Sequence, residues 1–541
     1  MSQSDSHTLA VSRSYLMKAN ESCKMIRKLE ITSANEPQGD GKAVGFSPQE
    51  TGVIHWIGHG FLAAVVLVHF GLVGLGQWVD DEYTNFGRLE HQGWSFVWER
   101  LRWSPRPLSE PLFCAYGWLV TRLHRPLIGL FLGILWTGLI LAGLVTCWQN
   151  RRNGRRLEVW PDLLVALALL ASLFAGTGHT LWVFYWPAAA VAYLPTLAAT
   201  MLLFLQVACG RVSSLEGRRV CGGCLVVAAC SSEAGAMFVF CYGLLQGAQW
   251  GIVAFRKLPS SSRQLAAWWF LPTVVSAVIL LTVRLNRFQA IELRAVSAAS
   301  EASAGPLTGH AFVSLIAGLQ ELVVEVLGRS AHVYGWHSLG SRLPSEILLA
   351  LGVSLCWSRY ERLHRVLAGQ ILTVVAALLI SSLLTIVAAY LHFGVLCCPH
   401  HEALRRCWII LSTAGVGMML SGRMGRGYLQ RYGVSNTWPQ VLLCGAVLSA
   451  WHIGPIVQTY RMYSVMRQAT KKNFEAGFNS GDQQMNFLLL PVTLIAQPKV
   501  TPGCYTQKSE NPPDIEGILT FFKKSSIVVR PSAQWLHDRE R

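Results

Sequence analysis

The stretch TGVIHWIGHGFLAAVVLVHFGLVGLGQWV (Thr51–Val79) decides the fold class, because it contains no Asp, Glu, Lys or Arg. A helix that crosses a bilayer needs about 20 consecutive apolar residues, and this run exceeds that length. Its three histidines, His55, His59 and His69, are read as facing neighbouring helices rather than a ligand. Similar runs follow along the chain: Pro126–Asn150, Leu163–Gly210, Gln264–Val283, Ser345–Ser358, Val366–Ala388, Cys407–Gly422 and Tyr432–Tyr460. Leu163–Gly210 is about two span lengths and is broken by GTGHTLWVFYWP (Gly176–Pro187), which reads as a hairpin tip. The run between Arg219 and Arg256 is also read as two spans, with Glu233 at the turn. The expectation is an all-α polytopic membrane protein with about eleven transmembrane helices.

Composition agrees with this reading. The 541 residues are 52% hydrophobic and only 14% charged, with 20 Trp, whereas soluble domains carry about 25% charged residues. A net charge of +16 would suggest nucleic acid if it formed a patch on a soluble face. Here the basic residues sit in short clusters between apolar runs, so no nucleic-acid partner is expected. Arg151/Arg152/Arg155/Arg156, Arg211/Arg218/Arg219, Arg256/Lys257/Arg263, Arg359/Arg362/Arg365 and Arg423/Arg426/Arg431 are separated from one another by two predicted spans. All five therefore fall on one side, which the positive-inside rule makes the cytoplasm of a plasma (inner) membrane.

Three regions follow. Residues 1–50 form a polar, disordered cytoplasmic tail, and residues 51–460 a transmembrane domain with outer loops at 77–125 and 284–346. Residues 461–541 form a small extracytoplasmic region with strand-like runs at Asn486–Ala496 and Ser525–Val529. Within the second loop, Ala311–Gly328 has apolar residues at helical spacing with Gln320, Glu321 and Glu325 elsewhere, and reads as an amphipathic helix lying in the outer interface. The 14 cysteines define no disulfide framework. CGGC (Cys221–Cys224) is read as packing, and the metal-like CCPHHE (Cys397–Glu402) as weaker than its composition suggests.

Function points to the edge of the first run. Asp80, Asp81 and Glu82 follow Val79 at once, and three adjacent carboxylates just outside a membrane suit a site that receives a proton or a cation better than a solvated helix end. Downstream lie Arg102 and Arg106, the latter held between Pro105 and Pro107. A guanidinium can grip phosphate bidentately. Carboxylates that deprotonate a hydroxyl, with arginine neutralising a phosphate leaving group, compose a group-transfer site. His179 and Glu233, at the tips of the next two outer hairpins, are candidates to reach it. Trp78, Trp94, Trp103, Trp182, Tyr185 and Trp186 read as an interfacial aromatic belt, with stacking on sugar rings as the alternative.

WVDDEY (Trp78–Tyr83), SPRPLSEPLF (Ser104–Phe113) and FYWPAAAVAYLP (Phe184–Pro195) resemble segments of the GT-C superfamily of integral-membrane glycosyltransferases, which carries an acidic pair just after the first span. The resemblance covers most of the chain in layout, although each motif is short. It implies that Asp80 or Asp81 orients and deprotonates an acceptor hydroxyl, in some members with a divalent metal nearby. It also implies a polyprenyl-phosphate-linked sugar donor, inversion at the sugar, and an envelope glycan, lipid or protein acceptor. Glu82 leaves the pair open between Asp80/Asp81 and Asp81/Glu82, while Tyr185, Trp186, Arg102, Arg106, His179 and Glu233 are candidates for substrate binding. The competing classes are a secondary transporter and a non-catalytic subunit of an envelope-polysaccharide assembly system.

Overall fold

A computed structural model describes residues 48–78, 80–152, 159–177, 184–254, 267–298, 307–326, 339–360, 365–393, 399–423, 437–450, 453, 464, 467–479, 481–489 and 515–531. Residues 1–47 of the predicted N-terminal tail and the hairpin tip around His179 and Trp182 lie outside them, while the tail's last three residues are already helical. The described residues are predominantly helical, and six helices are long and apolar enough to cross a bilayer.

Every predicted apolar run contains a helix. They are α1 (Pro48–Gly71), α5 (Ile128–Arg152), α6 (Val159–Thr177), α7 (Pro187–Ala208), α8 (Leu215–Ser231), α9 (Glu233–Ala254), α10 (Ala267–Ala298), α12 (Leu339–Tyr360), α13 (Arg365–Phe393), α14 (Pro399–Arg423) and α15 (Trp438–Ala450). The first outer segment is itself helical: α2 (Asp80–Gln92), α3 (Ser95–Trp103) and α4 (Ser109–Leu123). Further along come α11 (Leu307–Val326) and α16 (Ile515–Phe522). Two strands, β1 (Gln484–Leu489) and β2 (Ser526–Pro531), pair in parallel with Gln484 opposite Ser526. The strand expected at Asn486–Ala496 thus begins two residues earlier, and its second half lies outside the described residues.

α7 forms the centre, and most of its residues are buried. Its run of Ala and Leu without charge lets neighbouring backbones approach closely. Two of its hydroxyls bond to neighbouring helices: Thr200 accepts from Trp408 Nε1 of α14 at 3.2 Å, and Thr196 meets Ser232 at 2.9 Å. Ala208 O, at the end of α7, accepts from Trp357 Nε1 of α12 at 2.9 Å. Gln249, near the end of α9, donates to Thr373 near the start of α13. The last two contacts gather the helix ends adjoining three of the five basic clusters. The opposite ends carry Glu82, Glu233 and His401.

Three expectations are corrected. The Cys407–Gly422 span is longer than expected, because α14 starts at Pro399 and tolerates Arg405 and Arg406 in its apolar stretch by pairing them with Glu325 at 2.5 Å and Glu402 at 3.1 Å. On α11 the acids do not face water. Ser314, Gly318, Glu321 and Glu325 form one buried stripe, while Phe312, Val313, Ile316, Leu319 and Val323 are exposed. At Gly318 the stripe meets Val387 and Leu383 of α13, where a Cβ would stand 2.7 Å from Val387. Finally, Trp78, Tyr185 and Trp186 are buried core residues rather than belt residues, whereas Trp94 and Trp103 are exposed.

The C-terminal elements pack onto the first outer segment. Phe474, Phe521 and Phe522 surround Trp78 and Tyr83, largely edge to face, at centroid distances of 4.9–5.7 Å. α16 crosses α2 through facing glycines. A Cβ at Gly517 would lie 2.4 Å from Thr84 Oγ1, and one at Gly87 would lie 3.2 Å from Gly517 O. At Gly517 a side chain would force the helices apart, whereas at Gly87 it would require a shift of a few tenths of an ångström.

Candidate functional site

The site is assembled from helix ends whose free backbone groups recruit side chains. Pro195 sits inside α7 and cannot donate to the carbonyl four residues earlier, that of Val191. Ser109 Oγ, at the start of α4, supplies the missing donor at 2.8 Å, with Ser231 O, the last carbonyl of α8, at 2.7 Å from the same hydroxyl. Leu108 N donates to Cys230 O at 2.9 Å, satisfying a second orphan carbonyl of α8. The segment from Ser104 to Ser109 is thereby pinned across α7 and α8. Ser232 then caps α9, accepting from Gly235 N at 3.0 Å, and Glu233 begins that helix.

This brings Arg106 onto Glu233. Nη2 and Nε lie 2.7 and 2.8 Å from Oε2, and Ser104 Oγ donates to Oε1 at 3.3 Å. The pair extends through Glu110, which is 3% exposed, lies 3.9 Å from Arg106 Nη1, and accepts from Arg100 Nε and Nη2 at 2.9 and 3.2 Å. Arg100 Nη1 also donates to Asn85 of α2 at 3.1 Å. Asn85, Arg100, Glu110, Arg106 and Glu233 thus form a continuous polar chain linking the acidic helix to the start of α9. Both carboxylates sit in the first turn of a helix, where the macrodipole favours negative charge. Burial works against the charged form of Arg106, but Glu233, then Tyr193 and Glu110, more than offset it, so the guanidinium is held charged above its ordinary range. The Arg106 side chain as a whole is 21% exposed.

The acidic cluster divides. For Asp80 and Asp81 the structure describes the backbone alone, at the first turn of α2. Glu82 is fully buried, and its Oε1 accepts from Ala188 N at 3.2 Å, so it caps α7 from outside that helix. The backbone of Gln77 donates to Tyr185 O at 3.1 Å. The turn carrying the acids is therefore anchored on both sides to the start of α7, and Glu82 has a structural task there.

Other candidates fall elsewhere. Tyr185 stacks on Trp136 with centroids 5.0 Å apart and donates to His69 O at 2.8 Å. Trp186 is the residue before α7 and is buried. Arg102 is exposed, and its carbonyl accepts from Asn286. Sequence reasoning missed Asn85, Arg100, Glu110 and Tyr193. The i,i+4 spacing of Arg106 and Glu110 within SPRPLSEP was the available signal for one of them. Tyr193, buried on α7, meets α14 through its ring, edge-on to His401 at 5.8 Å. Among the described residues no group of three or more His, Cys, Asp and Glu could hold a metal ion. Cys221 and Cys224 are free thiols buried on α8, in keeping with packing.

The fold and site define a multi-helix membrane protein with a charged cluster at one end of its apolar bundle. No family model, curated protein or solved structure matches the chain.

Proposed function

We propose that the protein is a membrane glycosyltransferase that moves a sugar from a polyprenyl-phosphate carrier to a hydroxyl of an envelope glycan, lipid or protein acceptor. The observation that supports this reading is the polar chain that runs from Asn85, on the helix that Asp80 and Asp81 begin, through Arg100, Glu110 and Arg106 to Glu233. The GT-C resemblance of the three short motifs supports it. The five basic clusters favour a site on the extracytoplasmic face, where a lipid-linked donor is to be expected.

In this reading Asp80 or Asp81 accepts the proton of the acceptor hydroxyl as its oxygen attacks the anomeric carbon from the side opposite the phosphate. The bond from that carbon to the phosphate oxygen breaks, polyprenyl phosphate leaves with the electron pair, and the sugar inverts. Arg106 meets the phosphate, while Glu233 fixes the guanidinium plane. A divalent metal beside Asp80 and Asp81 would help to orient the acceptor oxygen. Protein in nanodiscs, supplied with a polyprenyl-phosphate sugar and acceptor, should release polyprenyl phosphate and a product of inverted configuration. Retained configuration would refute the mechanism.

The buried Arg405–Glu325 pair favours a transporter as the second reading, since ionisable groups within membrane helices often mark ion pathways. Uptake of solute into proteoliposomes without cleavage of any donor would support that alternative.

A further inference from the structure

α3 and α4 are apolar on two sides. One side packs into the protein through Phe96, Val97, Phe113 and Cys114. The other is turned outward and carries Trp94 just before α3, then Trp98, Arg102, Trp103 and Glu99, the last paired with Arg88, on α3, and Trp118 and Leu119 on α4. Trp98 is 74% and Trp103 75% exposed. A segment crossing bulk water keeps its outer side polar, so this outer side needs a covering that is neither water nor the described core. Arg122 lies over Trp118 at 5.7 Å, which leaves a cation beside the indole.

The level of these helices is fixed at both ends. Asn286, the last residue of the apolar span Trp268–Asn286, donates to the backbone carbonyl of Arg102. Tyr116 donates to Pro126 O at 2.5 Å, two residues before the span that starts at Ile128. Both helices therefore lie where membrane spans end. Indole and guanidinium groups together suit the boundary between acyl chains and headgroups, where the ring meets glycerol and the cation meets phosphate.

We infer that the outward side of α3 and α4 docks on the headgroup layer of the bilayer and selects anionic phospholipid through Arg102 and Arg122. The occupant is lipid, not a second protein, because α3 and α4 are bonded to the ends of the apolar spans Trp268–Asn286 and Ile128–Val145, most of whose residues are not buried inside the protein. α3 also points Arg100 inward to Glu110, so a helix held by lipid supports one end of the charged chain. The inference stands independently of the transferase reading.

The test uses the full chain in nanodiscs of equimolar phosphatidylglycerol and phosphatidylcholine, with a benzophenone amino acid replacing Trp98 or Trp118. Irradiation should give lipid adducts at both positions, enriched in phosphatidylglycerol by about fivefold for each basic residue near the surface. The enrichment should fall towards unity in the Arg102→Gln/Arg122→Gln variant. Adducts to another copy, to another part of the chain, or to no lipid at all would overturn the docking. Equal adducts of both lipids in the wild type would overturn the anionic preference.

Discussion

Substituting Glu325→Gln tests how α11 is held. Arg405 donates to Glu325 at 2.5 and 3.1 Å, and their side chains are only 2% and 0% exposed. Unit charges about 3 Å apart attract by roughly 5 kcal/mol at an effective dielectric of 20. Desolvation offsets much of that gain, so the pair contributes little net stability over a packed apolar pair. Removing one partner is different, because it strands a buried guanidinium at a cost of about 3–5 kcal/mol. Glu325→Gln should therefore shorten the half-life of the folded state in detergent at a fixed temperature by at least tenfold. The double variant Glu325→Leu/Arg405→Leu should recover part of that loss, since the guanidinium is no longer buried without Glu325, while Glu321 loses a nearby cation. Folded half-lives read from size-exclusion profiles after timed heating would check both. A single variant as durable as wild type would refute the argument, as would a double variant no better than the single one.

Other outcomes follow from the same contacts. Ser109→Ala should cost about 1–3 kcal/mol by removing the one hydroxyl proton shared between the buried carbonyls of Val191 and Ser231. That cost should shrink in a Pro195→Ala background, where the restored backbone N–H at position 195 can bond Val191 O, and a double-mutant cycle on thermal stability measures the difference. Gly517→Val should force α16 off Thr84 of α2, so protease cleavage of the C-terminal region should accelerate while α1 to α9 remain intact by fragment mass. Arg106→Lys retains charge but loses the fork that binds Glu233 through two nitrogens. It should weaken binding of a polyprenyl-phosphate donor, measured by titration, more than it lowers yield of folded protein.

Much of the architecture could be read from the sequence because charge is so costly in a bilayer. Thr51–Val79 and its successors mark helices through the absence of four residue types. The alternation of arginine clusters agrees with the grouping of Ala208, Trp357, Gln249 and Gly369 at one end of the bundle. Residues with two plausible environments were harder to place. Trp78 has the composition of a belt residue, yet Tyr116, Phe474 and Phe521 enclose it, and those partners lie far along the chain. Glu321 and Glu325 look like the wet side of an amphipathic helix until Arg405, 80 residues away from Glu325, supplies the counter-charge. Arg106 was legible as a phosphate ligand held between two prolines in the first outer loop, and Glu233 as the acid at a hairpin turn. Their pairing depends on Pro195 freeing one carbonyl for Ser109, a relation carried by three-dimensional packing and absent from local pattern.

The central claim is that the turn at Asp80 and Asp81 performs the chemistry. The most direct measurement is turnover of a polyprenyl-phosphate-linked sugar by Asp80→Asn, Asp81→Asn and Glu82→Gln variants, each normalised to folded protein. General-base catalysis contributes about 100-fold to 10,000-fold, so at least one Asp variant should lose that much turnover while eluting as wild type. Glu82→Gln keeps an acceptor for Ala188 N and should be milder in turnover, its effect appearing in stability instead. Near-normal sugar transfer by both Asp variants would contradict the assignment and leave these acids as the end of a helix anchored to α7.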